Sequence, residues 1–273
     1  CTALTQFAIP GSLSRIPGCA FSGCTNLTSV TIPVSVTNIG WLAFALCSSL
    51  TNIAIPDSVS RIDNSAFLHC KGLTSITIPN GVLSIGEGAF SGCVGLTNIT
   101  IPGSATYIGH GAFSGCTNLT QISVDTANAN YSSLDGILFN KDKSSLTVFP
   151  GGKSGACTIP NSVTNISDRA FFDCSKLTGV DIPASVFSIG QSAFDRCVGL
   201  TNITIPDSVT IIGQGSFSGC SGLSRVHIPS NVTNIEERAF FHCTGLASVA
   251  IPASVNVIAD NAFSGCTNLN NIM

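Results

Sequence analysis

Cysteine recurs at fixed intervals along this chain. Cys24, Cys47, Cys70, Cys93 and Cys116 are spaced 23 residues apart, and Cys174, Cys197, Cys220, Cys243 and Cys266 resume the same step. An Ile-Pro pair keeps the same interval, from Ile9-Pro10 and Ile32-Pro33 to Ile228-Pro229 and Ile251-Pro252. One unit reads L-T-x-V/I-x-I-P-x-S-V-x-x-I-G-x-x-A-F-x-x-C-x-x. A unit of this size cannot enclose its own apolar side chains, so the repeats must stack, each covering the next, in a solenoid.

Each part of the unit has a physical role. In the segment from Leu27 to Ile32, the period-2 placing of Val30 and Ile32 marks a short strand with one buried face. Pro33 ends it, since proline has no N–H to continue pairing. Ser35 and its counterparts, among them Ser58, Ser104, Ser185, Ser208 and Ser254, place a side-chain oxygen where turn backbone needs a partner; Asn231 replaces the serine in one repeat. Val36 and Ile39 return inward, and Ala43-Phe44 with Cys47 is expected to form a short helical turn that closes the coil. Stacking then aligns Phe21, Phe44, Phe67, Phe90 and Phe113, and later Phe171, Phe194, Phe217, Phe240 and Phe263, into an aromatic spine. The repeat cysteines form a buried column and act as small hydrophobes. Cys19, close to Cys1 and Cys24 in sequence, leaves a disulfide open.

The unit LTxVxIPxSVxxIGxxAFxxC resembles the BspA-like (Treponema-type) leucine-rich repeat over nearly the whole chain. The resemblance implies a leucine-rich repeat solenoid of the α/β horseshoe class, β-rich: a right-handed coil with a parallel β-sheet on its concave face and short helical turns on its convex side. It also implies an extracellular or cell-surface setting and adhesion to host or neighbouring-cell macromolecules.

The interval from Cys116 to Cys174 is 58 residues, or 23 + 35, so one unit carries an insertion. Residues 1–124 are therefore read as a first array, 125–155 as an irregular repeat, and 156–273 as a second array of one continuous solenoid. Within the insertion, Ile137-Leu138-Phe139 and Leu146-Thr147-Val148-Phe149 flank a polar turn and predict a projecting hairpin. Cys1 falls on the repeat cysteine and Leu269–Met273 stops partway through a strand. The sequence thus reads as a piece of a longer array, or as a subunit whose open ends are covered by another copy stacking end to end into a filament.

Charge narrows the partners. Only 9% of residues are charged and the net charge is −3, which supplies no field to attract nucleic acid. No apolar run approaches the ~20 residues that insert into a bilayer. Catalysis needs a nucleophile beside a base or paired carboxylates, and His69, His110, His227 and His242 are scattered, with no zinc spacing. Gly86-Glu87-Gly88 and its equivalents are turn residues rather than a dinucleotide loop, and Gly151-Gly152-Lys153-Ser154 lacks the leading glycine of a phosphate loop. The chain is read as non-catalytic, without cofactor or metal.

What remains is the strand face. Between the buried strand residues, the first array presents hydroxyls and amides such as Ser29, Thr31, Ser75 and Thr77. The second adds charge at Asp181, Arg225 and His227, beside Asn202 and Thr204. These five residues are the candidate contacts for a protein or glycan. With no aromatic anchors among them, the expected contact is weak, repeated and multivalent. Sequons at Asn26, Asn98, Asn118, Asn130, Asn165, Asn202 and Asn231 could carry sugar, and glycosylation at Asn98 or Asn202 would make this face a decorated surface instead of a groove.

Overall fold

The structure is a computed structural model, and it describes residues 1–272. The chain forms two compact units, Cys1–Lys141 and Asp142–Met273. Each is a stack of coils whose strands pair in parallel one repeat apart.

In the first unit, Gln6–Ala8 pairs with Ser29–Thr31, and Asn98–Ile101 with Gln121–Val124, forming the row that begins each coil. After the Ile-Pro turn, a second row runs unbroken through Arg15–Ile16, Asn38–Ile39, Arg61–Ile62, Ser84–Ile85 and Tyr107–Ile108. An antiparallel pair, Tyr131–Leu134 with Ile137–Asn140, ends this unit around Asp135 and Gly136, both at positive φ. In the second unit the first row holds Gly155–Thr158, Leu177–Asp181 and Asn202–Thr204, then Arg225–His227, Ser248–Ala250 and Asn271–Ile272. The strands expected near 137–139 and 146–149 are present as Ile137–Asn140 and Ser145–Val148.

The expected helical turns are not there: no helix occurs among the described residues. The segment after the second row alternates two kinds of hydrogen bond. Leu42, Phe44 and Leu46 donate to Asn64, Ala66 and Leu68 of the next coil, while Ala43, Ala45 and Cys47 close three-residue turns onto Gly40, Leu42 and Phe44. This pattern requires two left-handed residues four apart, as at Leu42/Leu46, Ser65/His69, Gly88/Gly92, Arg169/Asp173 and Arg238/His242. An α-helix needs uniform right-handed residues bonded four apart, so a coil that also bonds its neighbour through this segment cannot be helical. Left-handed conformations at residues such as Leu42 are tolerated because the ladder bonds over-determine them.

The core follows the repeat. Phe44, Phe67 and Phe90 are fully buried, and rings from Phe21 to Phe113 stack at centroid separations of 5.2, 5.4, 5.2 and 5.6 Å. In the second unit Phe149 joins the stack beneath Phe171, which continues through Phe194, Phe217 and Phe240 to Phe263. The repeat cysteines from Cys24 to Cys116 and from Cys174 to Cys243 are buried as expected, but they are more than small hydrophobes. The Cys70 thiol donates to the Phe44 carbonyl at 3.0 Å, and Cys93, Cys220 and Cys243 repeat the bond to Phe67, Phe194 and Phe217. Phe44 O already accepts the Cys47 N–H, so each such carbonyl joins two coils. Burial pushes the Cys47 and Cys116 thiols up to about 12. Cys19 is exposed and carries a free thiol.

The turn serines also bond between coils, each hydroxyl donating to a carbonyl of the preceding coil. Ser58 reaches Val36 O, Ser104 reaches Val82 O and Ser208 reaches Val186 O, each at 2.7 Å. Two of the regular coils lack the serine. At position 81 the chain has glycine, approaching so closely that a β-carbon would lie 1.8 Å from Asp57 O. At 231 the asparagine reaches past the usual carbonyl and donates to Asp207 O at 2.7 Å.

Candidate binding surface

The coils carrying Gly81 and Asn231 are also those where the first-row ladder opens. Among the described residues, Ser75, Ile76 and Thr77 pair with neither neighbouring strand. Asn202–Thr204 and Arg225–His227 likewise belong to separate sheets, although the closing turns between these two coils remain bonded through Phe217 N–H to Ala239 O at 2.8 Å. An open ladder leaves backbone N–H and C=O groups seeking partners.

A hollow lies at each opening. In the second unit it measures about 560 Å³ and is lined by Asn202, Ile203, Thr204, Arg225, Val226, His227, Ser248, Ala250 and Asn271. Of the five candidate contacts, Asn202, Thr204, Arg225 and His227 come together here, all exposed. Asp181 is not part of the lining; it is exposed on the adjacent strand, opposite Thr204. The remaining histidines are apart from this hollow, His69 and His242 lying across Gly92 and Gly265 of the following coils.

Sequence reasoning missed the second hollow. It measures about 630 Å³, in the first unit, and its lining includes Asp57, Ser75, Thr77, Asn98, Thr100 and Asp125. Glycine in the serine slot at position 81 was the available signal. Of the sequons, Asn26, Asn98, Asn118, Asn130, Asn202 and Asn231 are exposed, whereas Asn165 is half-buried and donates to Ser145 Oγ at 2.9 Å. No cluster of three or more His, Cys, Asp or Glu able to hold a metal occurs among the described residues, and no helix is long and apolar enough to cross a membrane.

Coils of about 23 residues, each presenting one strand in a parallel row and burying Leu, Ile and Phe against the next, define a leucine-rich repeat protein. Residues 1–120, 42–153 and 145–270 match the BspA type leucine rich repeat region, and the chain belongs to that family. It is similar to a leucine-rich repeat protein from Eubacterium ventriosum, with 26% identity over 98% of this chain and 72% of that one, at a TM-score of 0.92. A leucine rich cell surface protein from Faecalibacterium prausnitzii shares 32% identity over 98% of this chain and 86% of its own, at a TM-score of 0.69. The pneumococcal vaccine antigen PcpA, 23% identical over 98% of this chain and 77% of its own, shares the fold at a TM-score of 0.84. No curated protein sequence matches the chain significantly.

Proposed function

We propose that this chain is a non-catalytic, extracellular or cell-surface binding module that contacts protein or glycan through its first strand row. Support comes from the family and from a relative described as a cell surface protein. The observation that carries the reading is the hollow where the ladder opens between Asn202–Thr204 and Arg225–His227. It gathers a guanidinium, an imidazole, amides, hydroxyls and unpaired backbone groups on one exposed face. Asp181 beside Thr204 extends it with an acceptor. Such a surface, rich in both donors and acceptors and free of aromatic anchors, suits a shallow, repeated polar contact. Sugar attached at Asn202 would cover it.

An array of glycans and matrix proteins, probed with wild type and Arg225→Ala, tests this reading. The variant is expected to bind its ligand about tenfold more weakly, since a charge-assisted bond is worth ~1.5–3 kcal/mol. Retention of full binding by Arg225→Ala would refute it. A second reading is end-to-end stacking into an extracellular filament, through the same parallel pairing that joins each coil to the next. Negative-stain microscopy separates the two: short discrete particles support the module and long threads support the filament.

A further inference from the structure

The turn following the second strand row is polar in the neighbouring coils of the first unit, with Asn64, Glu87 and His110 in one slot and Gly18 at its start. Position 41 departs from this pattern. It holds the chain's one tryptophan, 55% exposed. The coil does not need an indole there, because its bonds at this point are made by backbone: Cys19 N–H to Trp41 O at 2.8 Å and Leu42 N–H to Asn64 O at 3.2 Å. More than half of a large aromatic residue is thus left in water at a place where the backbone bonds do not require it.

Its surroundings are ordered. The indole lies beside Gly18 of the preceding coil, where an added β-carbon would sit 3.6 Å from Cε3, an ordinary contact distance. On the other side Trp41 shares a hollow of about 300 Å³ with Asp63 and Asn64 of the next coil. Asn64 Oδ1 accepts the Glu87 N–H at 2.9 Å, which fixes the amide and makes its NH2 the group that can donate outward. The Asp63 carboxylate is one-third exposed and lies 3.9 Å from Arg61 Nε. Aromatic face, carboxylate acceptor and amide donor therefore meet where two successive coils adjoin.

That combination matches a sugar ring. A pyranose has an apolar C–H face that lies on an indole, and hydroxyls that donate to a carboxylate while accepting from an amide. The volume is at the small end of ligand sites, about right for one residue of a chain. A bound cation would call for several aromatic walls, and here it would also meet the Arg61 guanidinium, 3.9 Å from the same carboxylate. From this geometry we propose that Trp41, Asp63 and Asn64 form a carbohydrate subsite for one uncharged pyranose residue of a glycan. It is separate from the first-row hollows and does not depend on them.

Trp41 is its own reporter. Its emission is followed while maltotriose, lactose, chitotriose and mannotriose are titrated into the whole chain. The expected result is a saturable change with at least one sugar, with Kd on the order of millimolar for a single exposed platform. Asn64→Asp keeps the oxygen that Glu87 N–H requires and removes the outward donor, so it should weaken that binding about tenfold while leaving the melting temperature unchanged. Trp41→Ala should abolish the saturation-transfer NMR signal of the same sugar, and Arg225→Ala should leave it intact. Three results would overturn the proposal: no saturable change with any of the four sugars, affinity undiminished in Asn64→Asp, or an equal response to tetramethylammonium chloride. Loss of binding in Arg225→Ala alone would instead place the sugar on the first strand row.

Discussion

Truncating Phe67 to alanine tests whether stacking between coils holds the first unit together. The ring is completely buried, with Phe44 at 5.4 Å on one side and Phe90 at 5.2 Å on the other. Removing a buried phenylalanine costs ~3–5 kcal/mol including the cavity it leaves. Because both stacked neighbours also lose a partner, worth ~0.5–1.5 kcal/mol each, the loss should lie at the top of that range, about 5 kcal/mol. The comparison is Phe263→Ala. Phe263 is partly exposed and stacks on Phe240 at 5.4 Å, so about half the loss, ~2–3 kcal/mol, is expected. Urea unfolding followed by circular dichroism measures both, and Phe67→Leu, which keeps most of the volume, should cost no more than ~1.5 kcal/mol. If Phe67→Ala and Phe263→Ala shifted the midpoint equally, stability would not come from nearest-neighbour stacking and the reasoning would fail.

Gly81→Ser, which restores the serine of the other repeats, should destabilise by ~1–3 kcal/mol instead of stabilising, because its β-carbon collides with Asp57 O; an unchanged or raised melting temperature would contradict this. Iodoacetamide at mildly alkaline pH should alkylate Cys1 and Cys19 rapidly and leave Cys47, Cys70, Cys93 and Cys116 unmodified until urea is added, as peptide mass mapping can show. Burial raises the Asp195 carboxyl above its usual range, with Ser218 and Arg196 only partly opposing it. The native state therefore holds this proton more tightly than the unfolded chain does. The Asp195 contribution is favourable below the unfolded pKa and is lost as pH rises through the folded one. Asp195→Asn should accordingly raise stability near neutral pH and flatten the acid-range dependence in urea titrations at several pH values.

Much of the fold was legible because a repeated sequence places equivalent side chains in equivalent surroundings. The Phe and Cys columns, the strand at Ser29–Thr31 and the return at Val36 and Ile39 follow from period and polarity alone. The left-handed residues were legible only where glycine fills both positions, as at Gly88/Gly92, Gly111/Gly115 and Gly215/Gly219; Leu42, Leu46, Arg169 and Asp173 share no side-chain preference for that conformation. They adopt it because the bond to the next coil imposes it, and local propensity therefore pointed to a helix where the ladder demanded a turn. At the candidate surface, charge identified Arg225 and His227, but not the opening of the ladder beside them.

Sequence by itself determined the unit of construction: which side chains face inward, where each strand ends, and that one coil must cover the next. Tertiary structure decided where that covering is imperfect. Whether the ladder closes at Ser75–Thr77, and whether an indole at position 41 finds Gly18, Asp63 and Asn64 around it, depends on how two coils meet. Backbone hydrogen bonds and side-chain contacts between residues 23 apart exist only once the stack is built, and no pattern within a single repeat encodes them.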